Sequence, residues 1–269
     1  MKKFLLTVLK TIVFIVGWAV SIAFIPDIPT NNPAVLRLWW EFTPLALVVV
    51  FTGFFVLIVE KRKVHIPIFA NGMRNALIGI LTGVVWLGNA VAVLMAIGVL
   101  RFETGNSIAY LWVWILASFL NVMMQELLIR GYLFQLYKKN YHTSVAVIAT
   151  TLLFTAMHGG AFEAGILPVS NVITMSLFMS VLLEYTETLM APVMAHFIWN
   201  TAGAVILGGV SLAEDYPSLL SFITAGNALL SGGSYKLEGS IVVFLVNVLL
   251  TIIFLRLLKK KADAVRSVI

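Results

Sequence analysis

The chain has 269 residues, of which 61% are hydrophobic and only 11% are charged, and its net charge is +6 at pH 7. Soluble domains carry about a quarter of their residues as charges, so this composition excludes that class and indicates a polytopic membrane protein. The chain contains no cysteine, which excludes disulfides, thiolate metal sites and a cysteine nucleophile.

The predicted elements are eight membrane-spanning helices, because a span needs about 20 mostly apolar residues to cross a hydrocarbon core of about 30 Å. In chain order they are 4–25, 43–60, 75–99, 107–137, 144–158, 167–184, 189–208 and 240–258. The first of them lacks a small-residue cleavage site, so we interpret it as an uncleaved span rather than a signal peptide. The predicted fold is therefore all-α, with one transmembrane domain over residues 1–269.

The basic residues predict the orientation of the spans. With the N-terminus in the cytoplasm, 14 of the 18 lysines and arginines fall in the cytoplasmic loops and the two terminal segments. Cytoplasmic loops carry an excess of Lys and Arg, so we predict a cell-membrane protein with both termini in the cytoplasm. We interpret the basic C-terminal tail as contacting the anionic lipid of the bilayer, and we predict no nucleic-acid partner.

Ionisable residues occur inside three of the predicted spans, where such residues are rare because they are costly against lipid. Glu126 and Arg130 lie in the fourth span, His158 ends the fifth and His196 lies in the seventh. Counting about 1.5 Å per residue from the cytoplasmic ends places them at compatible depths. We therefore expect these side chains to converge on one buried polar pocket.

Helical spacing predicts which of these side chains face each other. Glu126 precedes Arg130 by four residues, the favoured order for an ion pair, and a purely structural salt bridge is one interpretation of the two. Gln125 lies about 100° around the helix from Glu126, so we expect the two to have different partners. His196 and Asn200 are also four residues apart on one face, where hydrogen bonding between helices is the alternative to a catalytic role.

Two kinds of chemistry fit this set of residues. A carboxylate and a histidine on neighbouring helices can activate water as a general base, while a second histidine and an asparagine donate hydrogen bonds to an oxyanion. Alternatively, His158, His196 and Glu126 hold a Zn²⁺ ion that activates the water. The spacing does not decide between them. The sequence has no HExxH and no GxSxG motif, which argues against the usual zinc-peptidase helix and against a serine hydrolase.

At these residues the sequence resembles the CPBP family of intramembrane proteases, which includes type II CAAX prenyl endopeptidases and bacterial bacteriocin-processing and immunity (Abi) proteins. The family pattern is EExxxR, FxxxH and HxxxN or HxxxD, on three helices of a mostly eight-span CPBP-type bundle. The matching stretches are "QELLIR" from Gln125, "FTAMH" ending at His158 and "HFIWN" from His196. The similarity runs over about 107–245, which we interpret as the CPBP-like core.

The resemblance implies how the first two motifs act. Position 125 would hold the glutamate that, together with His158, activates the attacking water. Glu126 and Arg130 would support the site.

The resemblance also implies the rest of the site and its substrates. His196 and Asn200 would form the oxyanion hole, and the implied mechanism requires no cofactor. The implied partner is a membrane-embedded or lipidated peptide, which in the CAAX branch is a prenylated C-terminal tail. The resemblance further suggests a bacterial origin.

The sequence departs from the family pattern at Gln125, because a carboxamide has no useful basicity near neutral pH. Three hypotheses follow. The chain is a catalytically silent scaffold or immunity protein that binds a membrane-protein partner; it is an active enzyme whose Glu has been replaced; or Glu126 acts as the base after a small rotation of its helix. Since Gln is the nearest isostere of Glu and the other motif residues are intact, the second hypothesis is favoured. The predicted function is an intramembrane endopeptidase impaired by Gln125.

Overall fold

The computed structural model describes residues 1–103, 105–211 and 215–267, and most of them are helical, which confirms an all-α membrane protein. The helices are α1 (Lys2–Ala23), α2 (Pro33–Phe54), α3 (Gly72–Ala96), α4 (Leu111–Glu126), α5 (Phe134–Asn140), α6 (Thr143–Ala156), α7 (Gly159–Ala164), α8 (Ile166–Thr186), α9 (Met190–Asn200), α10 (Ala228–Ser231) and α11 (Ile241–Arg266). Wider π-helical turns follow three of them, at Phe55–Val59, Leu127–Leu133 and Thr201–Ile206, and a 3₁₀ segment covers Gly233–Gly239.

Six helices in the described ranges are long and apolar enough to cross a membrane. They are Lys2–Ala23, Pro33–Val59, Gly72–Ala96, Leu111–Asn140, Ile166–Thr186 and Gly233–Arg266. The fifth and seventh predicted spans are apolar helices that are shorter, Thr143–Ala156 and Met190–Ile206. At about 1.5 Å per residue they reach roughly 21 and 25 Å, less than a core of about 30 Å. The count of eight spans stays a prediction.

The second span begins at Pro33, ten residues before the predicted start at 43. The side-chain oxygen of Asn32 accepts hydrogen bonds from two backbone N–H groups of the first turn, and proline is well suited to the first helical position. The apolar run that predicts this span begins only after Arg37 and Glu41. In the structure those charges, Arg37 and Glu41, form an ion pair of 3.3 Å one helical turn apart.

A two-stranded antiparallel sheet was not predicted. Strand β1 (Leu100–Glu103) pairs with β2 (Ser221–Thr224), and the rings of Phe102 and Phe222 pack edge to face with centroids 5.8 Å apart. Each strand has four residues, too few for an alternating pattern to be recognised among long apolar runs.

The chain folds into two compact units. The N-terminal unit comprises Met1–Ile68 and Ala109–Thr150, and the C-terminal unit comprises Phe69–Ile108 and Thr151–Ile269. The single domain over 1–269 and its core over 107–245 stay predictions.

In the N-terminal unit, aromatic side chains join α1 to the π-helical turns after α2 and α4. The ring of Phe14 lies 5.2 Å from that of Phe55 and 4.4 Å from that of Tyr132. The indole N–H of Trp18 donates a 2.9 Å hydrogen bond to the carbonyl of Pro44. Offset and edge-on aromatic contacts of this kind contribute beyond the area they bury, so they fix how these helices pack.

A buried carboxylate at one end of the same unit is held by two lysines. Glu60 is 4% exposed, and it accepts hydrogen bonds from the ammonium groups of Lys10 and Lys139, the latter at 2.9 Å. Burial alone would raise the pKa of Glu60, but its hydrogen bonds and ion pairs with the two lysines outweigh burial and hold that pKa below its ordinary value.

We expect the N-terminal unit to lose stability in acid through Glu60. A carboxyl whose pKa is lower in the folded chain stabilises it above the unfolded pKa, and this contribution is lost as the pH falls through the folded pKa. Thermal unfolding in detergent between about pH 5 and about pH 3 should therefore show a smaller drop in midpoint for Glu60→Gln than for the unmodified chain. Glu163→Gln, at an exposed site, should keep the full drop. An equal drop in all three proteins contradicts this role of Glu60.

In the C-terminal unit, α3 and α9 approach each other closely along a row of small residues. A Cβ on Gly79 would collide with the carbonyl oxygen of Ala191, and one on Gly83 would lie 2.8 Å from that of Ala195. Small residues allow membrane helices to pack backbone to backbone. Because Ala195 directly precedes His196, this contact fixes the position of a predicted site residue.

Gly83→Val is expected to separate α3 from α9. The added side chain meets the Cβ of Ile198 and the backbone of Ala195, neither of which is the flexible end of a side chain, and overpacking of this kind costs about 1–3 kcal/mol. Thermal unfolding in detergent measures the loss. Gly88→Val is the matched control on the same helix, because a Cβ there meets nothing within 4 Å. If both variants unfold at the same temperature, the glycine contact does not hold the two helices together.

Candidate functional site

The first motif lies at the end of α4 in the N-terminal unit. The side chains of Glu126 and Arg130 are both 0% exposed, and Nη1 of Arg130 donates to Oε1 of Glu126 at 3.0 Å, which confirms the predicted ion pair. Directly after Glu126 the chain continues as the π-helical segment Leu127–Leu133. Such wide turns are uncommon and occur frequently at functional sites.

Gln125 belongs to a chain of hydrogen bonds on another face of α4. Its Nε2 donates to Oδ1 of Asn121 at 2.7 Å, and Nδ2 of Asn121 donates to Oε2 of Glu41 at 2.9 Å. Glu41 also accepts from Arg37 at 3.3 Å. Gln125 and Glu126 thus have different partners, as expected from their angular separation.

The carboxylate of Glu41 determines which group donates and which accepts in each of these hydrogen bonds. A carboxylate only accepts, so Asn121 must turn its NH₂ towards Glu41 and its carbonyl towards position 125. The residue at position 125 then has to donate, which Gln125 does and an ionised glutamate cannot. We assign the amide orientations from this network. The side-chain oxygen of Gln125, Oε1, is buried and accepts no hydrogen bond from the residues that the structure describes.

The second motif lies in the C-terminal unit, where His158 separates α6 from α7. Its Nδ1 lies 2.7 Å from the carbonyl oxygen of Phe154. Since a carbonyl only accepts, we assign the proton to Nδ1, which leaves the lone pair on Nε2. A neutral imidazole in this tautomer can accept a proton through Nε2.

The third motif lies on α9 in the same unit. His196 is 2% exposed and Asn200 is 5% exposed. The ring of Phe154 lies 4.2 Å from that of His158 and 6.4 Å from that of His196, so one aromatic side chain contacts both imidazoles. The C-terminal unit therefore brings the second and third motifs together. Convergence of the first motif on the same pocket stays a prediction.

A polar network on another face of α9 orients this helix. The indole of Trp199, next to Asn200, stacks on Trp86 with ring centroids 4.0 Å apart. Nε1 of Trp86 donates to Oδ1 of Asn247 at 2.7 Å, and Nδ2 of Asn247 donates to the hydroxyl of Thr174 at 3.1 Å. These hydrogen bonds join α3, α8 and α11 to one another, and the stacking of Trp199 on Trp86 holds α9 against them, so Asn200 is held at a defined rotation.

A cavity of about 390 Å³ in the C-terminal unit opens beside His158. It is also lined by Glu163, Tyr235 and Glu238, and the carboxylate of Glu238 accepts a 2.9 Å hydrogen bond from the backbone N–H of Ser211. Its size and its few convergent polar groups are typical of a ligand site.

Two residues of these sites, Asn121 and Glu238, have no predicted role. Asn121 precedes Gln125 by four residues, the same spacing as Glu126 and Arg130, so the sequence does contain a signal for its contact with Gln125. Glu238 lies within "SGGSYKLEGS", just before the last predicted span, and nothing in that segment indicates that its side chain lines the cavity.

A metal centre was the alternative to metal-free chemistry. Throughout residues 1–103, 105–211 and 215–267, no three His, Asp or Glu side chains form a group that could hold a metal ion. The zinc alternative stays a prediction, and no step proposed below passes through a metal.

Comparison with known proteins locates a family match within the chain. Residues 107–202 match the family described as "Type II CAAX prenyl endopeptidase Rce1-like", over about a third of the chain. All three motifs lie inside the matched segment, in order. The match ends at 202, so the resemblance over 203–245 stays a prediction. No curated protein and no solved structure matches the chain.

Proposed function

We propose that the chain is an intramembrane endopeptidase of the CPBP family, impaired by Gln125, because residues 107–202 match the Rce1-like family. Its substrates in this proposal are membrane-embedded or lipidated peptides. The observation that carries the proposal is the presence of all three motifs, in order, inside the matched segment, with Gln125 as the one departure.

Water is the nucleophile in the proposed mechanism. His158 accepts a proton from the water through Nε2 as the water oxygen attacks the peptide carbonyl carbon, and it later returns this proton to the leaving amine. His196 and Asn200 donate hydrogen bonds to the oxyanion that forms. The tautomer assigned to His158 supports the first step, and the shared contact of both imidazoles with Phe154 supports their joint action.

Gln125 limits the rate in this mechanism. Its buried Oε1 is able to accept a hydrogen bond from the attacking water, which orients the water. A carboxamide cannot take the proton, so His158 is the sole base. General-base catalysis contributes about 10²–10⁴-fold, and we propose that a loss of this order separates this chain from a member with glutamate at position 125.

The experiment that tests the proposal uses all four histidines of the chain. The purified protein is reconstituted in liposomes and assayed against a panel of membrane-embedded and prenylated peptides. We expect His158→Ala and His196→Ala to abolish the residual cleavage, because each removes a reacting group. His65→Ala and His142→Ala are matched controls at exposed positions and should cleave like the unmodified chain.

Folding is checked for each variant by its thermal unfolding midpoint, so that loss of cleavage can be separated from loss of structure. The same four substitutions are repeated with Gln125→Glu, which raises the signal if position 125 holds the base. Cleavage that persists without both His158 and His196 contradicts the proposal, as does a complete lack of cleavage in folded proteins of both series.

A silent membrane scaffold or immunity protein is the second candidate function. The observation that favours it is the fit of Gln125 to the acceptor presented by Asn121, since an amide is the side chain that this network accommodates. Crosslinking and pull-down from membranes should then recover a membrane-protein partner in stoichiometric amount. Its binding should survive loss of both His158 and His196.

The proposed location is the cell membrane of a bacterium, with both termini in the cytoplasm. The chain is a multi-pass membrane protein by its six long apolar helices in the described ranges. The excess of Lys and Arg on one side supports the orientation. Fluorescent protein fused to the C-terminus should fold and fluoresce in the cytoplasm.

A further inference from the structure

A basic pocket of about 310 Å³ lies at one end of the N-terminal unit. Its charged lining consists of one carboxylate and five ammonium groups, from Glu60 and from Lys3, Lys10, Lys61, Lys63 and Lys139. Two of these lysines are paired with Glu60, so the pocket keeps a clear excess of positive charge.

The remaining three lysines are available to an anion. Lys3, Lys61 and Lys63 are exposed and form no ion pair with any residue that the structure describes. The ammonium of Lys3 lies 5.2 Å from the ring centroid of Tyr141, a cation–π contact that leaves its hydrogens free to donate. Clustered unpaired ammonium groups of this kind attract a phosphate.

An apolar groove of about 510 Å³ between α1 and α2 continues from this pocket. Lys10 and the apolar side chains of Leu6 and Val59 line both spaces, so the two are adjacent. The groove extends along α1 to Gly17, where the ring of Phe51 packs so closely that a Cβ would lie 2.8 Å from it.

The length of the groove matches one leaflet of a membrane. From Leu6 to Gly17, α1 rises about 16 Å at about 1.5 Å per residue. Half of a hydrocarbon core of about 30 Å is about 15 Å. An acyl chain that starts at the basic pocket would therefore end near Gly17.

We propose that the pocket and the groove together bind one anionic membrane phospholipid. Its phosphate lies among Lys3, Lys61 and Lys63, and one of its acyl chains lies in the groove between α1 and α2. Charge complementarity selects the anionic headgroup, because a zwitterionic lipid brings its own ammonium group into a pocket that already has an excess of positive charge. The site is independent of the histidine motifs, so it can be tested whether or not the protein cleaves peptides.

The test compares lipids retained by the full-length protein. The chain is reconstituted in vesicles of equal parts phosphatidylglycerol and phosphatidylcholine, extracted in detergent and weighed by native mass spectrometry. We expect retained phosphatidylglycerol in excess over phosphatidylcholine. The triple variant Lys3→Gln, Lys61→Gln and Lys63→Gln should lower its affinity by about fivefold per lysine, or about 10²-fold in all.

Two further variants test selectivity. Arg256→Gln, Lys259→Gln and Arg266→Gln together remove the same charge from exposed positions of α11, where contact with bilayer lipid ends on extraction in detergent, and should retain phosphatidylglycerol. Val13→Trp places a large ring in the groove from an exposed position and should lower retention without removing charge.

Three outcomes overturn the proposal. The first is equal retention of the two lipids, and the second is equal loss in the α11 control and the pocket variant. The third is displacement of phosphatidylglycerol by glycerol 3-phosphate at equal concentration, which indicates a free-phosphate site that needs no acyl chain. Because the three substituted lysines are exposed, their variants are expected to keep the unfolding midpoint of the unmodified chain.

Discussion

Gln125→Glu is expected to raise the rate of peptide cleavage by about 10²–10⁴-fold near neutral pH, because it restores a carboxylate where the family pattern has its general base. The measurement is the turnover of membrane-embedded and prenylated peptides in liposomes. Gln135→Glu is the matched control, because it makes the same amide-to-acid change elsewhere and should leave turnover at the level of the unmodified chain.

The same substitution should weaken folding, because of the hydrogen bonds around position 125. Asn121 presents its carbonyl to this position, so an ionised Glu there would leave two acceptors facing each other. An unsatisfied buried polar group costs about 1–3 kcal/mol. If the amide of Asn121 rotates to donate to the new carboxylate, its carbonyl faces the carboxylate of Glu41. Two acceptors then face each other at Glu41 instead of at position 125.

A second substitution at Glu41 should relieve the facing acceptors that Gln125→Glu creates. In the double variant Glu41→Gln with Gln125→Glu, Asn121 turns over, donates to the carboxylate at 125 and accepts from the amide at 41. The double variant should regain most of the unfolding midpoint and cleave at least as fast as the single variant. Glu41→Gln alone should cleave no faster than the unmodified chain. A folded double variant with no gain in cleavage contradicts the assignment of the base to position 125.

Removing Glu126 alone is expected to destabilise the N-terminal unit by about 3–5 kcal/mol, because it leaves the 0%-exposed guanidinium of Arg130 without its carboxylate partner. Glu126→Leu tests this, measured as the shift in unfolding free energy in mixed micelles. The double variant Glu126→Leu with Arg130→Met replaces the pair by apolar side chains and should recover most of the loss. A double variant no more stable than the single one contradicts the buried-pair account.

The same variants distinguish a supporting role of Glu126 from a catalytic one. If Glu126 only supports the site, the stable double variant combined with Gln125→Glu keeps its cleavage within about tenfold of Gln125→Glu itself. If Glu126 is the base, cleavage disappears in every variant that lacks it. The hypothesis that Glu126 takes over after a helix rotation is tested in the same experiment.

Much of the fold could be predicted because lipid imposes one requirement, a long apolar helix, that the sequence displays directly. The sequence did not reveal features that depend on local hydrogen bonding or on contacts distant in the chain. The early start of α2 depends on the cap at Asn32 and on the pair between Arg37 and Glu41. The strands Leu100–Glu103 and Ser221–Thr224 pair across more than a hundred residues.

In the candidate site too, contacts within one helix could be predicted and contacts between helices could not. Residues at four-residue spacing on one helix were paired correctly, as Glu126 and Arg130 are, because helix geometry alone sets that contact. The role of Phe154 against both imidazoles depends on how α6 and α9 pack, which spacing does not specify. The direction of the hydrogen bonds through Asn121 depends on Glu41, a residue of another helix, so the fit of Gln125 became visible only in the structure.

The proposed mechanism requires Gln125 and His158 to reach the same water molecule, which stays a prediction, and the absence of cysteine from the chain allows a direct test. Gln125→Cys with His158→Cys is treated in membranes with a thiol cross-linker that spans about 10 Å, the reach of two side chains that share one water. The control pair, Gln125→Cys with His142→Cys, is about 25 Å apart along the helical rise and should not be linked. Linkage in most molecules of the first pair is the expected result. Complete modification of both cysteines without linkage would contradict it.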